Sequence, residues 1–117
     1  MSMPIHVEVW LVAVSLTLAG EDVFSAEELI SRVFTRFQDA RPGVYTHVSS
    51  HCNASAKRSA GTVHNYLYRV SRGQYRLCRA SDVVHPSRIG FGVCPDEDLI
   101  DPQYRELWNQ GCQLVMA

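Results

Sequence analysis

The stretch "YRVSRGQYRLCR", residues 68–79, carries four arginines around one glycine and alternates them with apolar residues. Alternation on both sides of a short polar segment that contains glycine is typical of two strands joined by a tight turn. We therefore predict a two-stranded hairpin, with its strands in "VHNYLYRV" (63–70) and "QYRLCR" (74–79) and with Arg72 at its tip.

Positive charge is concentrated in the part of the chain that contains this hairpin. The chain of 117 residues has a formal net charge of -1. Residues 40–95 hold eight arginines and lysines against one aspartate, whereas residues 1–39 and 96–117 each have a net charge of -4. A basic middle between two acidic flanks predicts a polyanion-binding face backed by an acidic scaffold.

The first of three predicted helices spans Ile5–Leu18 and ends near Gly20. It is apolar on more than one side, which leaves two interpretations. It is either the central buried helix of a small core, or it uses a second face to form a homodimer. That second face comprises Leu11, Val14 and Leu18.

The second predicted helix spans Ala26–Phe37, because Ser25 can cap it and Glu28 is the capping-box partner three residues later. Its expected buried stripe comprises Leu29, Ile30, Val33, Phe34 and Phe37.

The third predicted helix begins near Val44, because Pro42 and Gly43 interrupt the chain before it. At about 100° per residue, one side of this helix is mainly apolar and the opposite side is short and polar. The apolar side comprises Val44, Tyr45, Val48 and Cys52. The outward side comprises Thr46, Ser49, Ser50, Asn53 and Lys57.

The remainder of the chain completes one α+β domain, residues 1–117. Residues 5–79 are predicted to form the core helices and the hairpin, and residues 80–117 an irregular basic segment and a short C-terminal helix. That helix is expected to begin at Asp101-Pro102. Three helices followed by a two-stranded ribbon is the element order of a winged helix-turn-helix.

In a winged helix the third helix enters the major groove of DNA, and the ribbon, or wing, contacts a phosphate run or the minor groove. Serine, threonine and asparagine suit base edges or phosphate oxygens, and arginine and lysine attract phosphates regardless of sequence. We therefore predict that the chain binds double-stranded DNA. The predicted DNA-binding residues are Thr46, Ser49, Ser50, Asn53, Lys57, Arg58, Arg69, Arg72 and Arg76. The alternative is a winged helix that binds protein through its apolar first helix.

Three strings carry a family resemblance: "FSAEELISRVFTRF" (24–37), "YTHVSSHC" (45–52) and the hairpin sequence. They resemble the HARE type of winged helix-turn-helix, which is found fused to restriction endonucleases and chromatin proteins. The resemblance covers about residues 8–108. It implies nucleic-acid binding, as a regulator or as the recognition module of a restriction or defence system, and it brings no catalytic residues.

The chain is more closely similar to a bacterial family of unknown function. That family has a Thr-His-Ile/Val-Ser-Ser-His-Cys core, a basic ribbon and a later His-Pro-x-Arg, which is here His85, Pro86 and Arg88.

Other classes of function receive less support from the residues. His47 and His51 are spaced i,i+4 beside Cys52, but the spacing of known zinc fingers is missing, so we expect structural histidines and no metal or cofactor. No group that would orient Cys52 as a nucleophile is evident, and we expect no enzyme.

The cysteines form no C-x-x-C pair and are predicted to be free thiols in the cytoplasm. The apolar stretch that begins at Ile5 is too short, and too interrupted by Glu8, to span a membrane.

Overall fold

A computed structural model of the chain describes residues 3–38, 41–59 and 63–117. Within these residues four α-helices pack with a small antiparallel sheet, and the predicted α+β class is confirmed. The helices are α1 (Ile5–Leu18), α2 (Ala26–Phe37), α3 (Val44–Thr46) and α4 (Arg105–Met116). The strands are β1 (Phe24–Ser25), β2 (Leu67–Ser71) and β3 (Gln74–Leu77).

Helix α1 has the predicted bounds and is the central helix of the core. It is buried on all sides by α2, α4, the sheet and the segment after α3. Leu11 and Val14 are fully buried within this chain, and only Leu18 of the second apolar face is substantially exposed, at 47%. The prediction of a homodimer interface on this face is therefore wrong, because the chain's own core covers two of its three residues.

Helix α4 packs on α1 through Gly111, which is buried. A Cβ atom at this position would lie 2.5 Å from the Trp10 ring and 2.7 Å from a Val14 methyl group. Both neighbours are fully buried. The glycine therefore permits the close approach of the two helices.

Replacing this glycine tests the packing of α4 on α1. Gly111→Ala is expected to lower the free energy of unfolding by about 1–3 kcal/mol, because overpacking outweighs the better helix propensity of alanine. The measurement is urea denaturation followed by circular dichroism. The control is Asn109→Ala at an exposed position of α4. Equal midpoints for the two variants would contradict the described packing.

Helix α2 begins as predicted. The Ser25 hydroxyl accepts a hydrogen bond of 3.0 Å from the Glu28 N–H, which confirms the cap. Leu29 and Val33 are buried, but Phe34 is 51% exposed, so its predicted place in the buried stripe is wrong. The reason is that the face of α2 that packs on the core is narrower than the apolar face of its sequence, and Phe34 lies outside it.

The predicted hairpin is present, and a third strand joins it. Strands β2 and β3 pair antiparallel, with Tyr68 opposite Arg76. The two-residue strand β1 pairs antiparallel with β3 and places Phe24 opposite Tyr75, so the strand order is β1-β3-β2. Because β1 directly precedes α2, the pairing joins the hairpin to the start of that helix.

The segment between β3 and α4 is irregular, as predicted, apart from short 3₁₀ turns. The last helix, at 12 residues, is longer than the predicted short helix. Leu107 and Trp108 pack against the core, in agreement with the sequence analysis. The four cysteines are free thiols, as predicted. Among the described residues, no helix combines the length and the apolar character needed to cross a membrane.

Candidate nucleic-acid interface

The hairpin turn is formed by Arg72 and Gly73. Gly73 has φ of +73°, a conformation that glycine adopts without steric cost. Its carbonyl accepts a hydrogen bond of 3.0 Å from the N–H of Ala26, the first residue of α2. The tip of the hairpin is thus held against the start of α2, and the exposed Arg72 side chain projects from a fixed turn.

Helix α3 borders the same region. A concavity of about 400 Å³ is lined by Tyr45 of α3, by Gly73 and Gln74 of the hairpin, and by the start of α2. Tyr45 is 61% exposed, which corrects the prediction that it lies on the buried side of the third helix. The start of α3 and the hairpin tip therefore lie next to each other on one surface.

Four of the predicted cations are exposed and lie on two neighbouring segments. They are Lys57, Arg58, Arg69 and Arg72, and we call them the cationic surface. The Ser55 hydroxyl accepts a hydrogen bond of 3.4 Å from the Arg69 N–H, which brings the segment before Lys57 alongside β2. Among the described residues, none of the four cations is paired with an acidic side chain.

Arg58 of the cationic surface is held by two contacts. Its guanidinium lies 5.1 Å from the centre of the Phe91 ring, and its backbone N–H donates a hydrogen bond of 2.8 Å to the Ser87 hydroxyl. Stacking on an aromatic ring holds the guanidinium while its N–H groups stay available for a ligand.

Arg76, also predicted to bind DNA, is engaged within the protein. Its guanidinium makes two hydrogen bonds, of 2.8 and 2.9 Å, to the Asp82 carboxylate and lies 4.6 Å from the centre of the Tyr68 ring. The same contact holds the pKa of Asp82 below its usual value. This pairing argues against the predicted role of Arg76, since a guanidinium shared with a carboxylate is poorly placed to bind phosphate.

The outward side of the third helix differs from the prediction at its end. Thr46 is exposed, and Ser49 and Ser50 are partly exposed. Asn53 is only 4% exposed, and its side-chain oxygen accepts hydrogen bonds from the N–H and the hydroxyl of Ser55, at 3.1 and 2.6 Å. The prediction that Asn53 lies on the outward side of the third helix is therefore wrong.

The unexpected position of Asn53 has a local cause, because α3 continues as a π-helix over His47–His51. The Cys52 N–H donates a hydrogen bond of 2.7 Å to the His47 carbonyl, five residues back. The wider turn moves Asn53 away from the direction that an α-helix would give it.

Sequence reasoning missed the role of Arg88, which is completely buried. Its guanidinium donates to four backbone carbonyls on three segments. The acceptors are Ser50, His51, Ala56 and His64. Arg88 therefore ties the end of the π-helix to the chain that enters β2. The signal in the sequence was the His-Pro-x-Arg string, which was noted only as part of a resemblance.

Sequence reasoning also missed that His6 and His64 lie near His47 and His51 of the π-helix in a cluster of imidazoles. His6 of α1 stacks on His64 with ring centres 3.8 Å apart and planes 11° apart. The rings of His47 and His51 lie 4.8 Å apart. Burial, together with the positive charge of neighbouring histidines, lowers the pKa of His6 and of His64 to about 4 each. The stacked pair is therefore neutral at neutral pH.

This cluster predicts a loss of stability in acid. Folded pKa values of about 4 lie below the unfolded value of 6.5, so the unfolded chain binds more protons. The stabilising effect of the neutral pair is complete above pH 6.5 and is lost as the pH falls towards 4.

The measurement is the urea midpoint as a function of pH. His64→Gln is expected to flatten the decrease below pH 6.5, whereas His85→Gln, outside the cluster, retains most of it. Identical pH profiles for wild type and His64→Gln would contradict the assignment.

Cys52 lies in an environment that does not suit a nucleophile. Cys52 is completely buried, and burial raises the pKa of its thiol. A thiol in this environment is a poor nucleophile, because the thiolate is the reactive form. In the described part of the chain, no three histidine, cysteine, aspartate or glutamate side chains are placed to hold one metal ion.

A family model described as a domain of unknown function (DUF7669) matches residues 8–77, more than half of the chain. The matched range extends from α1 to the end of β3 and includes the whole cationic surface. No curated protein and no solved structure matches the chain.

Proposed function

The chain belongs to the DUF7669 family, and we propose that it binds double-stranded DNA as a winged helix-turn-helix domain. The element order α1-β1-α2-α3-β2-β3 supports this proposal, since a helix-turn-helix followed by a β-hairpin wing has the same order. In this arrangement α3 with its π-helical continuation is the recognition helix, and the β2–β3 hairpin is the wing.

The observation that carries the proposal is the cationic surface. Lys57, Arg58, Arg69 and Arg72 are exposed and lack acidic partners in the described chain, whereas Arg76 and Arg88 are engaged internally. Solvated cations on an edge strand can serve solubility alone. A segment that is charged only for solubility could contain acidic as well as basic residues. In residues 40–95, however, Asp82 is the one acidic residue, and it is paired with Arg76. Unpaired cations on adjacent segments are what phosphate contacts require.

The polar side of the recognition helix supplies candidates for sequence reading. Thr46 is exposed, and the hydroxyls of Ser49 and Ser50 are borne by partly exposed residues. Hydroxyl groups can donate to or accept from base edges and phosphate oxygens. On this proposal the cationic surface provides affinity and Thr46, Ser49 and Ser50 adjust specificity. The resemblance to the HARE type extends the proposal to a regulator or to the recognition module of a restriction or defence system.

The alternative of a protein-binding winged helix required α1 as the interface. Leu11 and Val14 of α1 are completely buried within the chain, so this surface is not available to a partner.

Replacing the cation at the tip of the wing tests the proposal. Arg72→Ala is expected to weaken binding to unrelated duplexes alike and to reduce the slope of log K against log salt by about 0.9, the value for one phosphate contact. The measurement is fluorescence anisotropy with labelled duplexes at several salt concentrations.

The matched control is Arg105→Ala, which removes the same charge from an exposed arginine of α4 that is paired with Glu97. This control should bind like wild type. If Arg72→Ala also binds like wild type, the assignment of the hairpin as a DNA-contacting wing fails.

A further inference from the structure

An open pocket lies apart from the residues of the cationic surface. Its volume is about 340 Å³, within the roughly 300–1,000 Å³ typical of small-molecule sites. The pocket is lined by His6, His64, Tyr66, Gly92, Cys94, Asp96 and Leu99, and we call it the histidine pocket.

One side of the histidine pocket is formed by flat rings. His6 and His64 are stacked, and the ring of Tyr66 lies 5.0 Å from that of His64. The Trp10 ring packs edge-on behind Tyr66, at 6.4 Å. The backbone N–H of His64 donates a hydrogen bond of 3.2 Å to the backbone carbonyl of His51. These contacts hold the aromatic side in place before any ligand arrives, which reduces the entropic cost of binding.

The other side of the pocket, formed by Gly92, Cys94, Asp96 and Leu99, is also held by hydrogen bonds. The Trp10 indole N–H donates to the Val93 carbonyl at 3.1 Å, and the Trp108 indole N–H donates to the Pro95 carbonyl at 2.8 Å. The N–H of Asn65 donates to the Gly92 carbonyl at 3.1 Å. Both sides of the pocket are therefore fixed by hydrogen bonds from buried or partly buried residues.

Two residues that line the pocket carry hydrogen-bonding groups without a partner in the described part of the chain. Nδ1 of His6 is buried and has no hydrogen-bond partner in the described part of the chain, which is rare for a buried polar atom. The Asp96 carboxylate at the pocket is exposed and has no ion-pair partner among the described residues. A neutral imidazole offers a donor or an acceptor, and a carboxylate accepts hydrogen bonds from N–H groups.

A metal ion suits this geometry poorly. The lone pair of an imidazole nitrogen lies in the ring plane, and stacked parallel rings direct their lone pairs side by side rather than towards one point. A ligand that stacks and forms hydrogen bonds suits it better.

We propose that the histidine pocket binds a planar nitrogen heterocycle of the nucleobase class. The heterocycle stacks against the partly exposed rings of His6 and His64. Its N–H or amino groups donate to the Asp96 carboxylate. The proposal does not depend on DNA binding by the cationic surface, because it concerns different residues.

The test is an NMR titration of isotope-labelled protein with adenosine, with cytidine and with ribose as the base-free control. The nucleosides are expected to shift the backbone amide signals of Gly92 and Cys94, whereas ribose leaves them unchanged. Asp96→Ala is expected to weaken nucleoside binding about tenfold, the effect of losing a hydrogen bond to a charged group. The control Asp98→Ala removes an exposed carboxylate of the same segment that does not line the pocket, and it should bind like wild type.

Variants of His64 separate stacking from a general disturbance of the fold. His64→Phe keeps a flat ring and should retain nucleoside binding, whereas His64→Leu should lose it. Absence of shifts with both nucleosides, equal shifts with ribose, or equal losses in Asp96→Ala and Asp98→Ala would each overturn the proposal.

A second arm distinguishes a free nucleoside from a base in a strand. A duplex with one unpaired adenine is compared with the same duplex carrying an abasic site at that position. Shifts at Gly92 and Cys94 that require the adenine identify a strand base as the ligand, and shifts with nucleosides alone identify a free ligand. Nucleoside binding should also persist when Arg69 and Arg72 are replaced by alanine, so failure of the DNA-binding proposal is seen separately.

Discussion

Arg88→Ala is expected to lower the free energy of unfolding by about 3–5 kcal/mol, a large part of the stability of a domain of this size. The side chain is completely buried, and its guanidinium supplies hydrogen bonds to four backbone carbonyls. Removing it leaves these acceptors without a donor and leaves a void among well-packed segments. The measurement is urea denaturation followed by circular dichroism.

Two further variants make the Arg88 result interpretable. Arg88→Lys keeps the charge but has fewer donors in a different geometry, so an intermediate loss is expected. Arg58→Ala removes an exposed arginine and should change the stability by less than about 0.5 kcal/mol. A loss for Arg88→Ala as small as that for Arg58→Ala would refute the structural role of Arg88.

Replacing all four cations of the cationic surface is expected to reduce DNA affinity at low salt by at least about a hundredfold. Each phosphate contact contributes about 0.9 to the salt slope, so four contacts correspond to a slope of about -3.6, which should fall close to zero in the variant. The residues are Lys57, Arg58, Arg69 and Arg72, each replaced by alanine. All four are exposed, so the fold should persist and the loss should appear in binding alone.

The control for this variant removes positive charge elsewhere. Arg32, Arg36 and Arg105 are exposed residues of α2 and α4, and their joint replacement by alanine makes the chain similarly more acidic. It should weaken binding by less than about threefold, since no phosphate contact is assigned to these residues. Comparable losses in both variants would mean that net charge, rather than the cationic surface, governs binding.

Much of the fold follows from local patterns in the sequence. Helix α1 follows from its long apolar stretch, α2 from the Ser25 cap and the hairpin from Gly73. Strand β1 could not be predicted, because a strand of two residues has no periodicity and exists only through its pairing with β3. Local signals determine local structure, and this pairing is not local.

The candidate site was harder to predict for two physical reasons. A helical wheel assumes α-helical geometry, and the π-helix at His47–His51 breaks that assumption, which explains the error at Asn53. Sequence also does not reveal which cations are engaged. Arg76 pairs with Asp82 and Arg88 is buried, although both look like surface arginines in a basic segment.

The most direct test of the central claim is the affinity of the wild-type chain for a generic duplex, measured by anisotropy over a series of salt concentrations. Four phosphate contacts from Lys57, Arg58, Arg69 and Arg72 predict that log K falls linearly with log salt at a slope of about -3 to -4. A slope near zero, or no detectable binding at the lowest salt concentration, would contradict the claim that the cationic surface binds DNA.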